Sequence, residues 1–263
     1  MNCGTSILRS LTIQRRSLYA LMMREVITRF GRGNLGALWL VAEPMVFTLG
    51  IAALWTAASL NHGSSLPIVA FAVTGYSSVL LWRNCSNRCL AAVEANLPLL
   101  YHRNVKVIDV YLTRIVLEIA GATASFGILT AFFISIGWMD APVDVLQVVF
   151  GWFMLAWFGT ALAMLVGAAT AYSDIVEKLW PPATYLLFPL SGAAFMVDWL
   201  SPTFQKVVLL LPMVHGVEIL REGYFGNVVR THYDLGYMGV CCLLLSLAGL
   251  YLVRDAGRKV EGL

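Results

Sequence analysis

The stretch Arg29–Pro44, "RFGRGNLGALWLVAEP", decides how the rest of the chain is read. It starts basic, is broken three times by glycine within Gly31–Gly36, and runs into apolar residues. Glu43 and Pro44 then sit inside that apolar run. A cationic patch followed by a long apolar helix marks the point where a chain leaves the headgroup layer and enters a bilayer. Asn34 stands just before the apolar run as a helix start signal. The glycines permit the sharp turn, since glycine adopts backbone angles that other residues avoid.

Composition supports a membrane setting. Of 263 residues, 59% are hydrophobic and 13% charged, whereas soluble domains carry about 25% charged residues. So little polar surface cannot cover a water-soluble domain of this size, and the reading is an all-α polytopic membrane protein. Crossing the hydrocarbon takes about 20 apolar residues. Such runs lie at Ala37–Leu60, Leu66–Trp82, Ile108–Gly137, Val145–Ala171, Pro181–Leu200 and Leu235–Val253, so six spans are expected within one transmembrane domain over residues 1–263.

The basic residues orient them. Arg9, Arg15, Arg16, Arg24, Arg29 and Arg32 precede the first span, and Arg83, Arg88, Arg103 and Lys106 separate the second from the third. Lys178 lies between the fourth and fifth, and Arg254, Arg258 and Lys259 follow the sixth. The opposite loops, "NHGSSLP" and "MDAPVD", contain no Lys or Arg. Both termini are therefore expected in the cytoplasm. The N-terminus also lacks an apolar segment with a small-residue cleavage site, so no cleaved signal peptide is expected.

Two segments are apolar without spanning. Residues 201–234 contain "FQKVVLLLPMVHGVEILREGYFG", whose apolar part is too short to cross and is interrupted by Pro212 and Gly216. It reads as re-entrant outer helices or as a helix on the outer membrane surface. At the other end, Leu18–Phe30 has Leu18, Tyr19, Met22, Met23, Val26, Ile27 and Phe30 on one half of a helix, with Arg24, Glu25 and Thr28 opposite. Glu25 is one turn from Arg29. This pattern predicts an interface helix, within about 13–33, lying in the headgroup plane.

Chemistry of other classes is missing from the sequence. There is no G-x-x-x-x-G-K-[ST] phosphate loop, no G-x-S-x-G elbow and no His pair at ligand spacing. The five cysteines, Cys3, Cys85, Cys89, Cys241 and Cys242, show no paired metal-ligand spacing. No metal, nucleic-acid or catalytic site is indicated. Intramembrane carboxylates are few, Glu43 and Glu118, with Arg114 one turn from Glu118 as its expected partner. That is a thin basis for an ion-coupled carrier or for a membrane enzyme acting on lipid-linked sugars, which stand as alternatives. Trp39 and Trp55 lie inside the first span, where their rings either pack or offer stacking faces to sugar rings. Leu90–Tyr101, in the first cytoplasmic loop, could form a short amphipathic helix broken near Pro98.

Three segments carry a resemblance: Leu21–Pro44, "LMMREVITRFGRGNLGALWLVAEP"; Asn96–Arg114, "NLPLLYHRNVKVIDVYLTR"; and Ser191–Leu200, "SGAAFMVDWL". With them the chain resembles the membrane subunits of ABC-2 type polysaccharide exporters, especially the KpsM-like permeases of capsular polysaccharide export. O-antigen and teichoic-acid permeases are related alternatives. The resemblance implies a homodimer in the bacterial inner membrane that moves a lipid-linked acidic polysaccharide outward. It implies no cofactor in this chain, with ATP and Mg bound by a KpsT-like ATPase, and a KpsE-like co-polymerase and KpsD-like outer-membrane exporter beyond. Charge, aromatic placement and depth make Arg24, Arg29, Arg32, Trp39, Glu43 and Trp55 the expected substrate or channel positions, with lipid headgroup binding an equal reading of the arginines. The residues the resemblance implies for ATPase coupling are Glu94, Asn96, Leu97, Tyr101, His102 and Arg103, and those for a periplasmic gate are Leu210, Pro212, His215, Glu218 and Arg221.

Overall fold

A computed structural model describes residues 7–30, 36–57, 66–100 and 105–261. Among the described residues the chain is helical, with no strand. The helices are α1 (Ile7–Phe30), α2 (Gly36–Ala57), α3 (Ile68–Arg88), α4 (Leu97–Leu100), α5 (Val107–Ser135), α6 (Val145–Thr170), α7 (Asp174–Leu187), α8 (Pro202–Val208), α9 (Pro212–Phe225) and α10 (Leu235–Glu261). Local signals explain several starts. The Asp109 carboxylate accepts the Lys106 backbone N–H at 3.1 Å as α5 begins. Asp144 accepts from Gln147 N at 3.0 Å at the head of α6, and Asp234 from Tyr237 N at 3.0 Å at the head of α10.

On length and apolar composition, four helices can cross a membrane: α2, α5, α6 and α10. A fifth candidate is a bent pair, Pro202–Val208 with Pro212–Val228, whose axes differ by 107°. Six such helices are therefore not found among the described residues, and the two missing ones have different causes. Run 66–82 does form a helix, α3, but its Thr74, Ser77, Ser78, Arg83 and Ser86 lower its hydropathy, and the whole helix is packed inside the protein. Its hydroxyls bond back to its own carbonyls, Thr74 to Ala70 at 2.8 Å and Ser78 to Thr74 at 2.6 Å. Run 181–200 is not one helix. It opens inside the fourteen-residue α7, which ends at Leu187. Turns through Gly192, at φ +83°, then lead to a short 3-10 segment at Val197–Trp199.

The bundle is organised around α6, the most enclosed of the four long apolar helices; 61% of its most apolar window is buried, against 22% for α2 and for α10. It packs on α3, α9 and α10. Outward faces are apolar, including Leu146, Val149, Phe150 and Phe153 on α6, and Leu243, Leu244 and Leu247 on α10. Hydrocarbon tolerates these surfaces and water does not. Close approach of α3 and α6 depends on Gly159, where a Cβ would lie 2.9 Å from the Trp82 Cα.

The N-terminal helix is longer than expected and meets the protein through polar contacts. Arg24 donates to Asn96 at 2.9 Å, Gln14 to Asp109 at 3.3 Å, and Glu25 lies 3.2 Å from Arg114. Leu21 is buried, whereas Tyr19, Met23 and Ile27 are exposed. Leu18, Met22 and Val26 are half-buried and Arg24 and Thr28 exposed, so both halves are partly open, and polar contacts of α1 reach α5 and the turn before α4. Residues 31–35, where the sharp turn is expected, lie outside the described residues.

Gly159→Val should separate α3 from α6, because its obstacle is backbone that cannot swing aside. Overpacking of this kind costs about 1–3 kcal/mol. The expected result is a lower thermal unfolding midpoint of the detergent-solubilised protein.

Candidate functional site

At one end of the bundle, α1, the last turn of α3, the turn before α4 and the first half of α5 enclose a polar pocket of about 390 Å³. Arg24, Glu25 and Thr28 line it from α1, Asn87 and Arg88 from α3, Ala95 and Asn96 from the turn, and Arg114 from α5. Each charge in or behind it has an assigned contact. Arg88 Nη2 donates to both Glu43 oxygens, at 2.8 and 3.0 Å, while its Nε lies 3.4 Å from Glu118. Arg114 Nη1 donates to the Arg88 carbonyl at 2.8 Å, and its Nε lies 3.2 Å from Glu25. Asn96 receives Arg24 and donates to the Ala92 carbonyl at 2.9 Å.

Three guanidinium groups thus face three carboxylates, but not evenly around the cavity. Glu25 is the one carboxylate lining it, while Glu43 and Glu118 contact Arg88 without lining the cavity. The lining is net positive and rich in N–H donors. Burial grades the pairs. Glu118 is 6% exposed and the Arg114–Glu25 pair 13% and 15%, while Arg88 and Glu43 are 38% and 45% exposed. Buried pairs are costly to break, and exposed ones contribute little. Arg88–Glu43 is the contact that opens most readily.

The expected channel residues divide. Arg24 and Glu43 belong to this network. Trp39 is exposed on α2. Trp55 is buried, with its ring centroid 6.0 Å from Phe71 and 5.3 Å from Tyr76 in an edge contact. In the single chain it belongs to an aromatic series that runs on from Phe71 to Trp199 at 5.3 Å. Arg32 and the Arg29 side chain lie outside the described residues.

Of the expected coupling residues, Asn96 is the buried partner of Arg24, Glu94 is exposed, and Leu97 starts α4. Tyr101, His102 and Arg103 lie outside the described residues. A helix over Leu90–Tyr101 does not form. Ala91 takes a left-handed backbone, φ +47°, a 3-10 turn covers Glu94–Asn96, and α4 holds four residues. Helical register cannot pass through a left-handed residue.

Toward the other end of α3, the expected gate residues are mostly interior. Arg221 is fully buried and donates to the carbonyls of Gly192, Phe195 and Ala193 at 2.6–2.7 Å. Its guanidinium also lies 3.8 Å from the centre of the Phe71 ring. Glu218 accepts backbone N–H groups from Val197 at 3.3 Å and His232 at 3.0 Å. His215 accepts from Asp234 N at Nδ1, 2.9 Å, so Nε2 carries the proton and donates to the Leu209 carbonyl at 2.8 Å. These side chains hold irregular backbone that hydrocarbon would otherwise leave unbonded. Pro212 opens α9, and Leu210 is exposed between α8 and α9.

The sequence reading missed Arg88 as a site residue and treated it only as part of the loop charge. The signal was there: two intramembrane carboxylates required a cation, and Arg88 ends the helix between them. It also paired Arg114 with Glu118; the structure directs Arg114 to Glu25 and brings Arg88 to Glu118.

The described residues form a helical bundle with four to five helices long and apolar enough to cross a membrane and a charged pocket at one end. The ABC-2 type transporter family matches residues 16–225, and the chain belongs to that family. It is 42% identical over 257 residues to the capsule polysaccharide export inner-membrane protein BexB of Haemophilus influenzae, covering 98% of this chain and 97% of that one. It is 43% identical, with the same coverage, to the capsule polysaccharide export inner-membrane protein CtrC of Neisseria meningitidis serogroup B. Similarity to the polysialic acid transport protein KpsM of Escherichia coli is lower, 26% over 242 residues, covering 92% and 94%.

Arg221→Met should leave three buried carbonyls without a donor, each costing about 1–3 kcal/mol. Arg221→Lys should rescue only partly, since one ammonium cannot reproduce a planar fork. Both are read from the unfolding midpoint and from protease cleavage within residues 188–200, which should rise in the order wild type, Lys, Met.

Proposed function

We propose that this chain is the permease subunit of an ATP-driven exporter that carries capsular polysaccharide across the bacterial inner membrane. The observation that carries this reading is similarity at 42–43% identity along 98% of the chain to two capsule export inner-membrane proteins. A match of that length leaves no room for a different membrane domain, and the relatives act in transport rather than catalysis.

The finer parts of the proposal rest on charge placement and geometry. The Lys and Arg of the segments beside the spans support an orientation with both termini and the pocket on the cytoplasmic side. There α1 and the turn before α4 offer the surface on which a separate ABC ATPase docks, and that partner supplies ATP hydrolysis. Two copies of the chain assemble around the path of the glycan. The net-positive pocket lining and its donors suit the anionic group of a lipid-linked acidic glycan. The bent pair α8–α9 forms the periplasmic side of the path, beyond which a co-polymerase and an outer-membrane exporter take over.

Deletion of the gene should remove surface capsule and leave polysaccharide inside the cell, with restoration by the intact gene. In proteoliposomes, export should need the cognate ATPase and stop when its phosphate-loop lysine is replaced. Transport by the purified chain alone would overturn the proposal.

A further inference from the structure

Arg88 is held in two different ways on its two sides. From the interior, Glu118 lies 3.4 Å from its Nε and is 6% exposed, and Arg114 clasps its backbone carbonyl at 2.8 Å. From the open side, Glu43 takes its Nη2 with both oxygens, and here both partners are more than one-third exposed. Removing Glu43 would therefore leave Arg88, which lines the cavity, fixed in place with its Nη2 freed. The remaining lining adds the guanidinium groups of Arg24 and Arg114, while the amides of Asn87 and Asn96 and the hydroxyl of Thr28 already donate to Thr184, Ala92 and Arg24, and Glu25 is paired to Arg114.

We propose that Glu43 is a resident stand-in anion: its carboxylate occupies on Arg88 the place taken by a phosphate group of the ligand, and binding exchanges one for the other. This rests on the reading of the pocket as the entry site for an acidic glycolipid, and it adds how the empty site is kept. Three features support the exchange. A phosphate group offers more acceptor oxygens than one carboxylate, carries more charge as a monoester, and can engage several guanidinium groups at once, which Glu43 on α2 does not do. The displaced Glu43 is already half exposed, so its release strands no buried charge. Pro44 follows directly and removes the backbone donor to residue 40, loosening α2 where Glu43 must move. An empty cluster of arginines would repel itself and collect any anion, and a resident carboxylate prevents both until a stronger ligand arrives.

The ligand chemistry is a phosphate ester, borne by a membrane lipid or free in solution. The test is equilibrium binding of fluorescent phosphatidic acid to the full-length chain in phosphatidylcholine nanodiscs. Glu43→Gln should bind tighter than wild type by about two- to five-fold, the range expected for removing a competing exposed pair. Glu43→Asp, one methylene shorter, keeps the charge and should shift in the same direction by less; it decides the matter where the Gln variant folds poorly. Arg88→Gln should lose the tighter class of binding, and Glu118→Gln should not gain affinity. Displacement of the probe by inorganic phosphate assigns the free ion as sufficient, and persistence assigns the lipid headgroup; the exchange stands in either case. Unchanged or weaker binding in both Glu43 variants overturns it, as does wild-type binding by Arg88→Gln. Capsule export measured in the same strains keeps the two readings apart. A deletion strain without capsule beside a Glu43→Gln chain of unchanged affinity removes the exchange alone. A capsule-positive deletion strain removes the export reading and leaves the binding result standing.

Discussion

A charge among apolar helices has to be answered by an opposite charge, and much of this structure follows from how Arg88 meets that demand. It ends α3, and the two carboxylates it serves come from α2 and α5. One guanidinium thereby ties together three helices that are separate in sequence. Arg114 extends the tie by holding the Arg88 carbonyl and pairing with Glu25 on α1. The position of the N-terminal helix thus rests on ion pairing and polar contacts as well as on the buried Leu21.

The same constraint operates on neutral groups toward the other end of α3. Residues 188–200 turn irregularly beside packed helices, and their carbonyls need donors that water does not supply there. Arg221 provides three, Glu218 accepts the N–H groups of Val197 and His232, and His215 accepts that of Asp234 just before α10. Charged residues in this lobe therefore do the work of secondary structure. A chain can enter and leave the apolar zone here because side chains replace missing backbone partners.

Much was legible in the sequence. Apolar runs near 37–60, 108–137, 145–171 and 235–253 appear as long helices within a few residues, because length and hydropathy are local properties. The bent α8–α9 pair follows from a short apolar run broken by Pro212. The second and fifth runs were read by the same local rule and came out differently. Burial inside the protein admits the hydroxyls and Arg83 of α3, and the segment after Leu187 leaves helical geometry because Arg221 stabilises its turns. The helix expected at Leu90–Tyr101 failed at Ala91, whose left-handed backbone no residue preference announces.

By itself the sequence determined that this is a helical membrane protein of a transporter type, where its long apolar helices lie, and which carboxylates are placed among them. These depend on composition and on spacing along the chain. Only the tertiary structure decided which cation answers which carboxylate, that Glu43 and Glu118 share Arg88, and that Trp55 packs against Phe71 and Tyr76. Electrostatic pairing depends on distance in space, and residues 45 and 30 positions away from Arg88 reach it only once α2, α3 and α5 have packed. The opening stretch from Arg29 to Pro44 announced a carboxylate in the membrane; the fold assigned it an arginine.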